Sequence, residues 1–157
     1  MCGFAGIHSV NQKNIHSEAL LNMSKKLVHR GPDDSGVWIN SLNSIGFAHQ
    51  RLAVIDLTSA GHQPMQSYSN RFTIVFNGEI YNHLELRAEL DFLHWNGHSD
   101  TETLLVCIES WGLDKTLKKI NGMFAFALWD STESSIHLAR DRMGEKPLYY
   151  GWQGDSF

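Results

Sequence analysis

The residue of this chain with the most chemistry in it is Cys2, set between Met1 and Gly3. Removal of Met1 would leave its thiol and a free α-amine on the same Cα. Such an N-terminal nucleophile needs no separate histidine, because its own amine serves as general base. That amine has an ordinary pKa of about 7.7–8.0, close enough to the working pH to take a proton and give it back. Gly3 lets other backbone come near. A cysteine at position two also occurs by chance, so other residues must carry the assignment.

Three further places have a plain reading and a chemical one. In Asn77-Gly78-Glu79, Asn-Gly is a strong hairpin signal and predicts a turn. Against it, Glu79-Ile80-Tyr81-Asn82 leads into a helix cap, not a returning strand. The chemical reading is an oxyanion site, a side-chain amide beside a glycine N–H. Arg51, after His49-Gln50 at the end of an apolar stretch, is either a surface arginine or a clamp making two parallel hydrogen bonds to a carboxylate. Asp100 fits the first position of a helix, where the dipole favours it; it could equally hold a substrate ammonium. His29-Arg30-Gly31-Pro32-Asp33 reads as a helix stop in a solvated loop.

These residues need elements to bring them together. Cys2 to His8 suits a buried strand. Ile15 to Val28 predicts a helix, with Ala19, Met23 and Leu27 at four-residue steps, flanked by Leu20 and Val28. Gly31-Pro32 stops it. Val37–Ile39 and Ser44–His49 predict strands around a turn at 40–43. Arg51 to Leu57 alternates less cleanly and runs into a polar loop, Thr58 to Asn70. Arg71–Phe76 is a strand. Asn82 with Glu85 opens a helix whose stripe is Leu86, Leu90 and Leu93. Ser99 with Glu102 is a stronger capping box, followed by Leu104, Leu105, Ile108 and Trp111, with Gly112 as C-cap. Met123–Trp129 is apolar on both faces and reads as a central strand. A turn at Asp130–Ser134 leads to a strand at Ser135–Ala139, and Leu148–Tyr150 predicts one more. Hairpin-joined strands with two helices inserted together argue for antiparallel sheet with helices outside, an α+β domain.

Composition bounds the rest. A chain of 157 residues with 42% hydrophobic content suits one globular domain. The net charge of −4, without any basic run, argues against nucleic-acid and anionic-membrane partners. The apolar run from Gly122 to Trp129 is too short to span a bilayer, and there is no secretory signal. Cys2 and Cys107 lie far apart, which points to a reducing cytoplasm rather than a disulfide framework. The histidines are scattered, and no metal site is expected.

The motifs also form one ordered set. They are Met1-Cys2-Gly3-Phe4-Ala5-Gly6-Ile7, His29 to Asp33, His49-Gln50-Arg51-Leu52, Phe76-Asn77-Gly78-Glu79-Ile80-Tyr81-Asn82 and Ser99-Asp100-Thr101-Glu102. Gly122-Met123-Phe124-Ala125-Phe126-Ala127, Arg140-Asp141-Arg142-Met143-Gly144 and Lys146-Pro147-Leu148-Tyr149-Tyr150 follow. In this order they resemble the glutaminase domain of class II glutamine amidotransferases, and within it the glutamine-hydrolysing asparagine synthetase branch. The likeness runs from Cys2 to about Gly151.

The resemblance implies an N-terminal nucleophile hydrolase fold, a four-layer α/β/β/α sandwich with antiparallel sheets. It implies hydrolysis of the glutamine side-chain amide to glutamate and ammonia. Cys2 is then the nucleophile, and Asn77 (side chain) and Gly78 (backbone) are the oxyanion donors. Arg51 matches the residue gripping the glutamine α-carboxylate, while Glu79 and Asp100 match those holding its α-ammonium. Main-chain groups just after Arg51 help position the substrate. The 29–33 loop lies near the site, with no specific role for Arg30 or Asp33, and Lys146 with its neighbours faces a partner domain. That partner is an asparagine-synthetase-like domain in cis, using ATP and magnesium. No cofactor is expected in this chain. Residues 1–157 are expected to be a glutaminase domain truncated at its C-terminal end, without the synthetase domain and compatible with a homodimer. Two alternatives stand beside this: the same chemistry feeding a sugar or polysaccharide-precursor acceptor, and a glutamine-binding or assembly module with little turnover.

Overall fold

A computed structural model describes residues 1–9, 11, 15, 17–42 and 44–157. Its strands are β1 (Gly3–His8), β2 (Asp34–Asn40), β3 (Ile45–Arg51), β4 (Met65–Gln66), β5 (Phe72–Ile80), β6 (Gly122–Asp130) and β7 (Ser135–Arg140). Its α-helices are α1 (Ser17–Lys25), α2 (His83–Ala88), α3 (Asp100–Trp111) and α4 (Leu113–Lys119). One sheet runs β1-β3-β2 and the other β4-β5-β6-β7, antiparallel throughout. Helix α1 covers the first sheet and α3 the second, with α2 and α4 packed on α3. This is the four-layer α/β/β/α arrangement expected.

Alternation along β5 and β6 explains the layering. Ile74, Phe76 and Ile80 on β5, with Phe124, Phe126 and Leu128 on β6, pack against Leu104, Leu105 and Ile108 of α3. The residues between them face the other way, where Val75, Ala127 and Trp129 meet Ile45 and Phe47 of the first sheet. A strand buried on both faces reads as a continuous apolar run, as Met123–Trp129 does. Helix α3 starts where its capping box says: Ser99 Oγ accepts from the Glu102 N–H at 3.1 Å. It ends at Gly112, whose φ of +80° favours glycine.

The structure departs from the sequence reading in several places. Asn77-Gly78 is no turn; both lie inside β5, paired with Ala125 and Phe124. The buried face of α1 is Leu20 and Ser24, one position round from Ala19 and Met23, because Ser24 accepts a hydrogen bond from Gln50 Nε2 at 2.7 Å. That helix begins at Ser17 instead of Ile15, and His16 lies outside the described residues, as does Asn43 of the 40–43 turn. Asn82 does not cap α2 with its side chain. Its amide donates to Lys119 O at 3.0 Å and accepts from Asn121 N at 2.9 Å. The helix stops at Ala88, which leaves Leu93 exposed. Residues 148–150 form no strand, and Tyr149 and Tyr150 face solvent.

Candidate active site

One edge of β5 is unusual. The N–H and C=O of a strand residue point to the same edge. The ladder ends fix which: Tyr81 N–H donates to Asn121 O at 2.7 Å and Ser131 N–H to Arg71 O at 2.9 Å, so odd-numbered residues of β5 bond β6. Phe124 agrees, because its C=O and N–H both face Asp141 on the far side. Phe76, Gly78 and Ile80 therefore turn their N–H groups away from β6. On that edge main chain reaches Ile74, opposite Met65 of β4, and Phe72, whose C=O accepts from the Ser67 N–H at 2.9 Å. Beyond Ile74, side chains take over. Gln63 Oε1 accepts from the Phe76 N–H at 2.7 Å, His49 Nε2 lies 3.1 Å from Phe76 O, and Asp100 Oδ2 accepts from the Ile80 N–H at 2.9 Å. Between them the Gly78 N–H has no partner among the described residues.

That edge lines a cleft that also holds Cys2, Arg51, Asn77, Glu79 and Asp100. Every residue expected at the site from the sequence therefore meets at one place. Cys2 precedes β1 and is half-buried; its Sγ accepts from the Leu52 N–H at 3.4 Å and donates to Leu52 O at 3.7 Å. The main chain just after Arg51 thus seats the thiol. With Met1 in place the Cys2 nitrogen is a peptide nitrogen and cannot act as a base. Asn77 and Glu79 reach the cleft from the inner face of β5, the one shared with Val75. Asn77 is buried and Glu79 partly so.

Arg51 ends β3 and is 7% exposed. Its Nη1 donates to Thr58 O at 2.8 Å and its Nη2 to Asp56 O. A Cβ on Gly61 would fall 2.6 Å from Arg51 Cζ, so the guanidinium has room only because that position is glycine. The loop itself is anchored by Asp56, whose carboxylate accepts from Thr58 N (2.8 Å), Thr58 Oγ1 (2.6 Å) and His98 N (2.8 Å). These bonds, the Thr58 hydroxyl foremost, hold its pKa down at about 2. Asp100 is 6% exposed at the first position of α3, and burial pushes its pKa up against the pull of the Ile80 N–H. Asp100 opens the helix and also lines the cleft. A guanidinium and two carboxylates in one cleft suit a ligand carrying both a carboxylate and an ammonium.

Residues 1–157 match the model of the glutamine amidotransferase domain. The chain belongs to this family. A protein named putative glutamine-hydrolysing asparagine synthetase 2 in Methanocaldococcus jannaschii is 39% identical across 100% of this chain, which spans 33% of that protein. Glutamine-hydrolysing asparagine synthetase 1 of Bacillus subtilis is 39% identical over 96% of the chain, spanning 24% of its own length. Glutamine-hydrolysing asparagine synthetase 2 of rice (Oryza sativa) is 39% identical over 97% of the chain, spanning 25%. The chain thus covers between a quarter and a third of these relatives, to within 1%, and no helix among its described residues is long and apolar enough to cross a membrane.

Three residues that the sequence did not mark, Asp56, Gly61 and Gln63, line the same cleft, as does Thr101 of the motif that opens α3. Only Asp56-Leu57-Thr58 carries a local signal, an aspartate capping its own turn two residues on. The 29–33 loop braces the site from outside: Asp33 Oδ2 accepts from Ala53 N–H at 2.8 Å, and Asp33 N–H donates to Arg51 O at 3.0 Å. Lys146, expected to face a partner domain, sits at the cleft in the structure. It is 4% exposed and turns its Nζ to the Met1 sulfur.

Proposed function

We propose that this domain hydrolyses the side-chain amide of glutamine and supplies the ammonia to an ATP-dependent asparagine-synthetase-like domain in the same polypeptide. Once Met1 is removed, the Cys2 amine takes the thiol proton and the sulfur attacks the glutamine amide carbon. The oxygen that becomes an anion is held by the Asn77 side-chain N–H and the Gly78 N–H. Collapse of this intermediate breaks the C–N bond, and the amine returns its proton to the leaving ammonia. Water then cleaves the thioester to give glutamate. Arg51 grips the α-carboxylate: a guanidinium has about five N–H donors, and the backbone of the 56–58 loop leaves several free. Glu79 and Asp100 hold the α-ammonium. ATP and magnesium serve the synthetase domain in this reading, and the glutaminase step as written needs neither. The relatives' names favour aspartate over a sugar as the final acceptor's class. Free Cys2 and Cys107 suit a reducing cytoplasm, and the reading is compatible with a homodimer.

The observation that carries this reading is the Gly78 N–H, without a partner among the described residues, on the cleft that holds Cys2. A pre-aimed donor in a buried edge is what a developing oxyanion requires, and loss of one costs about 10²–10³ in rate. The test is intact mass and glutamate release, with the glutamine affinity label diazo-oxo-norleucine. A sample lacking Met1 should take one adduct, mapped to Cys2, and release glutamate. Cys2→Ala should bind glutamine and release none. A sample with a verified free Cys2 amine that produces no glutamate at millimolar glutamine overturns the reading.

A further inference from the structure

We propose that Gln63 and His49 are positioning residues for the oxyanion site, clamping the two backbone groups of Phe76 so that the next N–H along that edge, that of Gly78, is held in place and left unbonded. This rests on the glutaminase reading above.

The argument starts from the register of β4. Met65 pairs with Ile74 and Gln66 with Thr73. Continued, that register sets Pro64 opposite Val75 and Gln63 opposite Phe76. Strand β4 begins only at Met65, so main chain does not reach that pairing. Phe76 is 2% exposed, so an unpaired backbone group on it would be costly. Gln63 meets the need with its side chain: Oε1 takes the Phe76 N–H, and Nε2 donates to Thr101 Oγ1 at 3.4 Å, which fixes which way the amide points. His49 comes from β3 in the opposite sheet, wholly buried, with Nε2 at 3.1 Å from Phe76 O. A carbonyl partner requires the hydrogen on Nε2, and the buried Nδ1 has no partner among the described residues. Burial keeps this imidazole neutral down to about pH 4.

The clamp has a functional consequence that a continued strand would not. A main-chain neighbour running past Phe76 would also bond Gly78, because alternate residues share an edge. Side chains satisfy Phe76 and, through Asp100, Ile80, and stop there. The peptide joining Phe76 to Asn77 is fixed at its carbonyl, so the Asn77 amide is aimed by the same contacts.

The experiment compares Gln63→Met and His49→Phe, which remove one clamp each at similar volume, with Gln63→Glu and His49→Gln, which keep an acceptor or a donor. The expected result for the first pair is a kcat for glutamine hydrolysis lower by about 10–100-fold, part of the loss for deleting a donor outright, with KM within about threefold. Alkylation of Cys2 by iodoacetamide, which forms no oxyanion, should keep its rate. His49→Gln and Gln63→Glu should recover most of the kcat. A folded Gln63→Met or His49→Phe with wild-type kcat, or with its loss in KM alone, overturns the proposal. Amide hydrogen exchange on the unmutated chain tests it without any variant. The Phe76 amide should exchange slowly and the Gly78 amide fast, until an aldehyde analogue of glutamine, added to Cys2 as a thiohemiacetal, protects Gly78. Fast exchange at Phe76, or protection of Gly78 in the free chain, overturns the clamp. Absence of glutamate release by the unmutated chain instead overturns the glutaminase reading and leaves the exchange result to stand by itself.

Discussion

The two edges of β5 are built by opposite means. Toward β6 the pairing is unbroken from Phe72 to Ile80, and alternate residues exchange hydrogen bonds with main chain. On the other edge main chain serves Phe72 and Ile74, and then His49 from β3, Gln63 from a loop and Asp100 from α3 finish the work. A regular ladder consumes every N–H it meets and so cannot offer one to a ligand. The irregular edge satisfies the buried groups one by one, and can therefore leave one out. The regular edge gives the strand its rigidity, and the irregular edge gives it a use.

The largest expected effect comes from the residue that belongs to both. A Cβ on Gly78 would lie 2.7 Å from Phe124 Cα and closer still to Met123 O, both on the regular side. Glycine stands here for close approach between paired strands, not for a turn. Gly78→Ala must push β6 away or rotate the peptide, which moves the N–H on the other edge. It should cost about 1–3 kcal/mol in stability, as overpacking does, together with a kcat loss of about 10²-fold or more. Urea unfolding and glutamate release measure the two. Full activity in a destabilised Gly78→Ala would show that the edges are independent.

A smaller effect, confined to stability, is expected on the regular side. Leu128 of β6 is wholly buried in the cluster that joins the second sheet to α3. Leu128→Ala should lower unfolding free energy by about 2–5 kcal/mol, with kcat and KM of the folded fraction unchanged. A changed kcat would mean that packing on the ladder side tunes the donor.

The same division decides what the sequence reveals. The regular parts were legible because their causes are local. Ser99 and Glu102 announce α3, and the apolar run before Trp129 announces a strand buried on both faces. Where a tertiary contact overrules a local signal, the reading failed. The Asn77-Gly78 hairpin gave way to nine residues of pairing with β6, and α1 turned by one position because Gln50 reaches Ser24. Helix α4 was missed: it is short and lysine-rich, with only Leu113 and Leu117 packed on the core. At the site, Cys2, Arg51, Asn77, Gly78, Glu79 and Asp100 came from the family resemblance and lie around one cleft. Gln63 had no such signal, and His49 entered only as a member of the motif before Arg51, with no role of its own. A lone glutamine or histidine acquires its role only when the register of β4 and the approach of the opposite sheet are known.

The smallest effect tests how well the irregular edge is sealed. His49 has its pKa lowered from 6.5 to about 4, chiefly by burial; the Phe76 carbonyl and Asp34 pull it up, and His62 and Arg51 add a little to the lowering. In the unfolded chain the imidazole titrates near its ordinary value. As pH falls from 7 the unfolded chain therefore binds a proton that the native one refuses, and stability is lost between about 6.5 and 4. The contribution is present in full above 6.5 and gone below about 4, a loss of at most about 3 kcal/mol and less if the native state opens to water. His49→Gln keeps a donor for Phe76 O and cannot titrate. Urea unfolding at pH 7, 6 and 5 should give the variant the shallower slope by up to about one proton. Equal slopes would mean that water already reaches His49 in the native state, and an edge open to water could not hold the Gly78 N–H in a fixed direction.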